Sequence, residues 1–169
     1  MKKVLSKELL LELKTELTNT TFATGHEINT RQSKAPGLAR INNEKDKISY
    51  NVGMDHYSLT NNKLNRILKK ISGRASKYLI SIHTVESIEG SETYPHYDTN
   101  SGLSLSILLE DKFEGANLFV DGKNMDLVNE GDFVLFEGHK VNHHVTPVLS
   151  GRRKVLVLFY EYERATKLI

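Results

Sequence analysis

Apolar residues recur along this chain with two different periods, and the change falls near residue 77. In SKELLLELKTELTN, Leu9, Leu10, Leu13 and Leu17 repeat at helical spacing behind Ser6, a residue suited to capping a helix N-terminus. In NNKLNRILKKISGRA, Leu64, Ile67, Leu68 and Ile71 share one face, and Gly73 marks the end. Both stretches predict amphipathic helices. Between them, ATGHEINTRQSKAPGLARINNEKDK is polar, broken by Gly and Pro, and reads as a long loop. After residue 77 the period shortens: KYLISIHTVESI, LSLSILLE, ANLFVDG, NMDLV, DFVLFEG, NHHVTPV and RKVLVLFYEY are β-rich runs separated by Gly, Asn, Asp and Glu. Helices followed by a meander of short strands predict a mainly β fold with supporting α-helices, an antiparallel sandwich or open barrel braced on one side.

At 169 residues the chain suits one domain with a sizeable core. We expect a single domain over 1–169, with a helical and loop N-terminal part at 1–76 and a β core at about 77–163. Its 23 Lys and Arg against 21 Asp and Glu leave a formal charge of +2, which demands no polyanionic partner. Cysteine is absent, which removes disulfides, zinc–thiolate sites, iron–sulfur clusters and thiol nucleophiles together. A transition metal would have to sit on His, Asp or Glu. The opening MKKVLSKELLLELK is basic at its start, but Lys7, Glu8, Glu12 and Lys14 interrupt any secretory core. No apolar run approaches the roughly 20 residues that span a bilayer. A soluble, cytoplasmic protein is expected.

Three places carry candidate chemistry. In YPHYDTN, His96 and Asp98 flank one residue, so in an extended chain both side chains leave the same face, as two ligands of one metal require. In NHHVTPV a strand would turn His143 and Val145 to one face and His144 and Thr146 to the other, so one of the two adjacent histidines faces inward. A histidine there, on a strand antiparallel to the His96 segment, would complete two His and one carboxylate. That set suits non-heme Fe(II) and leaves positions open for substrate and oxygen, with zinc as the competing assignment. The third place is Arg153, past the turn PVLSG. If it points inward, Val155, Val157 and Phe159 line the same interior, Arg152 and Lys154 point away, and the turn folds its strand back beside the one bearing His143. A guanidinium behind an open metal site is the group expected to grip the far end of a dicarboxylate.

HYD, then HHVTPVLSGRR before VLVLFY, resembles the pattern of the Fe(II)- and 2-oxoglutarate-dependent dioxygenases, in the prolyl 4-hydroxylase-like branch. FEGANLFVDGKNMDLVNEGDFVLFEG, between the two ligand segments, fits the hairpin and Gly-Asp strand of that branch. The resemblance covers roughly residues 77–163 and implies a double-stranded β-helix, or jelly roll, with supporting N-terminal helices. It implies His96, Asp98 and His143 as Fe(II) ligands and Arg153 as partner of the 2-oxoglutarate 5-carboxylate, the spacing to Val145, Gly151 and Arg153 favouring His143 over His144. It implies O2 and 2-oxoglutarate as cosubstrates, succinate and CO2 as products, and ascorbate as a candidate reductant. Two positions depart from the pattern. Where the branch often carries a cosubstrate-binding Tyr, this chain offers His83, or Tyr78 in a shifted register, and where another Tyr is common it has Leu108.

The target of the oxidation is least legible. The branch implies prolyl hydroxylation of a peptide or protein; the lack of a bilayer-length apolar run and the near-neutral charge point to no membrane partner and no nucleic acid. Residues 22–53 are expected to wall the site, with Arg31, Arg40 and Tyr50 able to meet a peptide backbone and His139 near the entrance. The alternatives are the same chemistry on a free amino acid, another side chain or a nucleic acid base; a cupin-like metal-binding protein without oxygenase activity; and a binding jelly roll that has lost turnover. Phe159, where the nucleic-acid branch usually has a second arginine, disfavours the base.

Overall fold

The computed structural model describes residues 1–19, 48–53, 62–98 and 101–161. Strand β1 (Lys3–Val4) leads into helix α1 (Lys7–Thr18), whose N-terminus is capped where the Leu9 N–H donates to Ser6 Oγ at 3.2 Å. Strand β2 (Ile48–Gly53) and helix α2 (Asn62–Ser72) follow, then a 3-10 turn over Gly73–Tyr78. Nine further strands follow among the described residues: β3 (Leu79–Ile88), β4 (Thr93–His96), β5 (Leu103–Glu110), β6 (Phe113–Gly115), β7 (Leu118–Val120), β8 (Lys123–Asn124), β9 (Asp132–Phe136), β10 (His143–Val145) and β11 (Val148–Tyr160). Of the 22–53 stretch expected to wall the site, the described part is a strand, Ile48–Gly53, paired with β3. Of the run NMDLV only Asn124 is in a strand, the two-residue β8 (Lys123–Asn124).

Every strand pair is antiparallel. The larger sheet runs β1-β9-β5-β11-β3-β2 with β6 attached to the start of β11, and the smaller runs β4-β10-β7-β8. This is the mainly β fold with supporting helices that the alternating runs predict, in the jelly-roll form that the resemblance implies. Period-2 patterning explains the layering. On β5, Leu103, Leu105, Ile107 and Leu109 pack toward the helices, as do Leu156, Leu158 and Tyr160 of β11. There they meet Leu10, Leu13 and Leu17 of α1 and Leu64, Ile67 and Leu68 of α2. Burying each such leucine contributes about 1.5–3 kcal/mol, which is what fastens the helices to one face of the sheet. The alternate positions, Ser104 and Ser106 on β5 and Arg153, Val155, Val157 and Phe159 on β11, face a cavity between the sheets. A second apolar cluster of Leu118, Val120, Leu127 and Val134 packs at the smaller sheet.

One expectation needs correcting. The strand bearing Arg153 does not return beside the one bearing His143. Strand β10 pairs with β4 and β7 in the smaller sheet, whereas β11 pairs with β3 and β5 in the larger. Instead β11 starts early, pairing through Val148–Gly151 with β6 and then running between β3 and β5, all within the larger sheet. Gly151, at φ +78°, stands at this change of partner, and a Cβ there would run into the Lys112 carbonyl. Histidine and arginine therefore come from opposite sheets. Among the described residues no helix is long and apolar enough to cross a membrane.

Candidate metal centre and its cavity

Antiparallel pairing sets His143 on β10 directly opposite His96, the last residue of β4. Asp98 lies just beyond β4, its N–H donating to the Gly138 carbonyl at 2.9 Å. The three side chains converge: His143 Nε2 lies 3.5 Å and His96 Nε2 3.8 Å from Asp98 Oδ1, and the imidazole centroids are 4.2 Å apart. Suitable ligand atoms of the three residues all fall within 4.8 Å of one another, so His96, Asp98 and His143 can hold a metal ion.

The surroundings prepare these groups as ligands. His96 Nδ1 lies 2.7 Å from the Tyr94 carbonyl and His143 Nδ1 3.2 Å from that of Val141. A carbonyl only accepts, so each Nδ1 carries a proton and each Nε2 is the ring nitrogen turned toward Asp98. Burial, aided by the nearby His143, lowers the His96 pKa and favours its neutral form. Burial alone would raise the Asp98 carboxyl, but hydrogen bonds and charge from His143, Ser104 and His96 outweigh it and hold Asp98 below its ordinary range. The result is two imidazoles converging on one carboxylate, the donor set a divalent cation takes. His144 points elsewhere, its ring stacked on Phe119 at 5.0 Å with the planes 2° apart.

The triad occupies one wall of a cavity of about 120 Å³, which also takes in His83, Ser106, Phe136, Val157, Phe159 and Arg153. Arg153 is 4% exposed, and its Nε is buried without a hydrogen-bond partner. Its neighbours on β11 are served differently: Arg152 reaches Glu86 at 3.5 Å and Lys154 reaches Glu86 at 2.8 Å. Among the described residues no carboxylate stands within ion-pair distance of Arg153, and burial lowers its pKa to about 10. A buried cation without a counter-charge is costly unless an anion joins it. The opening metal triad and this guanidinium therefore fit a ligand that chelates at one end and carries a carboxylate at the other.

The remaining candidates disperse. His83 enters the cavity edge-on to Phe159, with ring centroids 4.9 Å apart, and burial lowers its pKa to about 4. Tyr78 packs instead against the helix-side core. His139 hydrogen-bonds through Nδ1 to the Gly102 carbonyl at 2.8 Å and is not among the cavity-lining residues. Tyr50 pairs by backbone with Val85 on β3, while Arg31 and Arg40 lie outside the described residues. Sequence reasoning missed Ser104, Ser106 and Thr93 as lining residues, and Gly138 against Asp98. The Leu-Ser-Leu-Ser alternation of β5 was the available signal, since it sets small polar groups on one face of a strand otherwise made for a core.

His83 yields a prediction about acid stability. Its folded pKa of about 4 lies below the ordinary value of 6.5, so the unfolded chain takes up the proton first. Its contribution is fully present above pH 6.5 and lost as pH falls through about 4. The protein should lose about 3 kcal/mol over that window through this residue. In urea melts from pH 7 to 4, His83→Phe should be less pH-dependent by that amount; parallel profiles for the two proteins would count against a neutral buried imidazole.

No protein-family model matches the sequence, and no curated protein matches it. Solved structures do. The chain is similar to a prolyl hydroxylase from Trichoplax adhaerens in complex with a hypoxia inducible factor oxygen degradation domain peptide fragment, with TM-score 0.60 and 15% identity over 99% of this chain and 86% of that one. It is similar to a prolyl-4-hydroxylase from Pseudomonas putida, with TM-score 0.57 and 14% identity over 96% and 92%. It is also similar to an oxidoreductase of the 2OG-Fe(II) oxygenase family from Burkholderia pseudomallei, with TM-score 0.53 and 16% identity over 91% of each chain. The jelly roll that carries this His–Asp–His triad is thus the fold of 2OG-Fe(II) oxygenases and prolyl hydroxylases.

Proposed function

We propose that the protein is an Fe(II)- and 2-oxoglutarate-dependent dioxygenase that hydroxylates a prolyl residue of a peptide or protein. The observation that carries this reading is the pairing, in one cavity, of a two-His, one-carboxylate triad with a buried arginine that has no counter-charge among the described residues. Residues His96, Asp98 and His143 would hold the iron through Nε2, a carboxylate oxygen and Nε2. Arg153 would hold the 5-carboxylate of 2-oxoglutarate, and His83 is the nearest further candidate for a contact to that cosubstrate. When bound, iron, 2-oxoglutarate and O2 supply the oxidation: one oxygen atom enters a substrate C–H bond, and the cosubstrate leaves as succinate and CO2.

The chain's own work is positional. The two carbonyl-bound imidazoles keep Nε2 aimed inward, and Asp98 stays ionised to balance the metal's charge. Arg153, drawn from the opposite sheet, fixes the far end of the cosubstrate so that its chelating end meets the triad. Val155, Val157, Phe159, Leu118 and Phe136 make the rest of the wall apolar, which excludes water and strengthens both polar contacts. The peptide assignment rests on the prolyl hydroxylase fold and on the Trichoplax relative, which was solved with a peptide fragment. An extended segment laid across the cavity mouth is the mode expected.

The test is incubation of the full chain with Fe(II), 2-oxoglutarate, ascorbate and a proline-bearing peptide library, reading succinate together with peptide mass. Succinate formation with one added oxygen atom on proline is the expected result. Succinate with oxygen on another residue would keep the oxygenase and replace the substrate, and no succinate under any condition would reject both.

A further inference from the structure

Asp98 is held by more than the two histidines. Ser104 Oγ, on the cavity face of β5, donates a short hydrogen bond to Asp98 Oδ2, the oxygen not directed at His96 and His143. Because that proton is committed, Ser101 Oγ, 3.3 Å from Ser104 Oγ, must be the donor of the second bond in the chain. All three side chains are buried: Asp98 is 6%, Ser101 5% and Ser104 1% exposed. Gly138 closes the arrangement from β9's end. Its carbonyl takes the Asp98 N–H, and a Cβ at this position would occupy the space of Asp98 Oδ2 and Ser104 Oγ. Serine relay and bare glycine thus engage the same carboxylate oxygen.

We infer that Ser104 is a positioning residue that occupies Asp98 Oδ2, so that the carboxylate offers a metal one oxygen only. The inference rests on the triad being a metal centre and goes beyond it, because it assigns the number of atoms the protein contributes. Two imidazoles and a one-oxygen carboxylate fill three positions of an octahedral ion and leave three together. A carboxylate free to turn and bind through both oxygens would take a fourth, competing with a chelating cosubstrate. Groups that orient metal ligands in this way typically govern about 10–100-fold in metal affinity.

The probe is Co(II), titrated into metal-free full-length protein and followed by its visible absorption, which reports the ligand field without turnover. Ser104→Ala is expected to weaken Co(II) binding by about 10-fold and to alter the band position or intensity. Ser104→Thr, which keeps the hydroxyl, should restore both, a rescue that a purely space-filling role for Ser104 does not require. Should Ser104→Ala fail to fold, Ser101→Ala withdraws only the outer donor and should move the same spectrum in the same direction. Wild-type protein that binds Co(II), with these variants matching it in affinity and spectrum, overturns the role of Ser104 alone. Wild-type protein that takes up no Co(II) overturns the metal centre and this inference with it.

Discussion

Arg153→Ala is expected to lower affinity for 2-oxoglutarate by about 100-fold or more while leaving Fe(II) affinity within about threefold. The size follows from what is lost: a charge-assisted, two-pronged contact worth about 3–5 kcal/mol, at roughly 1.4 kcal/mol per factor of ten. The selectivity follows from topology, since Arg153 stands on β11 of the larger sheet whereas His96 and His143 stand on β4 and β10 of the smaller. The same substitution site also carries a stability signature. In the ligand-free protein, Arg153 is a 4%-exposed cation whose Nε has no partner. Arg153→Leu should therefore raise ligand-free stability, by about 1–4 kcal/mol, as replacement of buried charge by apolar side chains often does. Wild-type protein, by contrast, should gain about 2.7 kcal/mol when 2-oxoglutarate is supplied at one hundred times its Kd. Calorimetric titration and urea melts with and without the ligand read all three effects. Undiminished 2-oxoglutarate binding by Arg153→Ala would remove the arginine from the site.

His143→Ala is expected to weaken Fe(II) binding by about 100-fold or more, and His144→Ala by less than about threefold. Adjacent residues of a strand face opposite ways, and here they do so with different company. His143 is buried beside Asp98 and His96, whereas His144 lies flat against Phe119. Losing His143 would remove one of the three proposed ligands; losing His144 removes a stacking contact worth about 0.5–1.5 kcal/mol and should show in thermal stability instead. Competition with a chromophoric chelator gives the two affinities. The reverse ranking would mean that β10 is shifted by one residue, which exchanges every inward and outward side chain on it.

How much of this was readable beforehand differs by residue, for physical reasons. Both helices could be read because Leu10, Leu13, Leu17, Leu64, Ile67 and Leu68 repeat at the helical period and all are buried. Which residues of β11 face inward was readable too, since Arg153, Val155, Val157 and Phe159 alternate with Arg152 and Lys154, and the first four do line the cavity. Alternation does not say which sheet a strand joins. The chain passes from one sheet to the other between Val145 and Val148, where β11 takes β6 as its first partner, and the identity of that partner is set by a strand distant in sequence. Strand β2 was hidden for a related reason, because ISYNVG is short and polar in part and becomes a strand by pairing with β3. His139 illustrates the limit on single histidines: nothing local distinguished it from a site residue, and its ring is taken by the Gly102 carbonyl. Ser104 and Gly138 were the hardest to see. Their importance is a matter of what lies within contact of Asp98 in space, and small side chains leave little trace in any linear pattern.

The most direct measurement is an anaerobic titration of metal-free protein with Fe(II) and then 2-oxoglutarate, monitored in the visible range. A triad and Arg153 acting on one ligand predict a charge-transfer band that forms at one equivalent of each and fades on admitting oxygen, with succinate produced. Iron binding without any band at saturating 2-oxoglutarate would contradict a shared cosubstrate site, and would leave His96, Asp98 and His143 as a metal centre with another purpose.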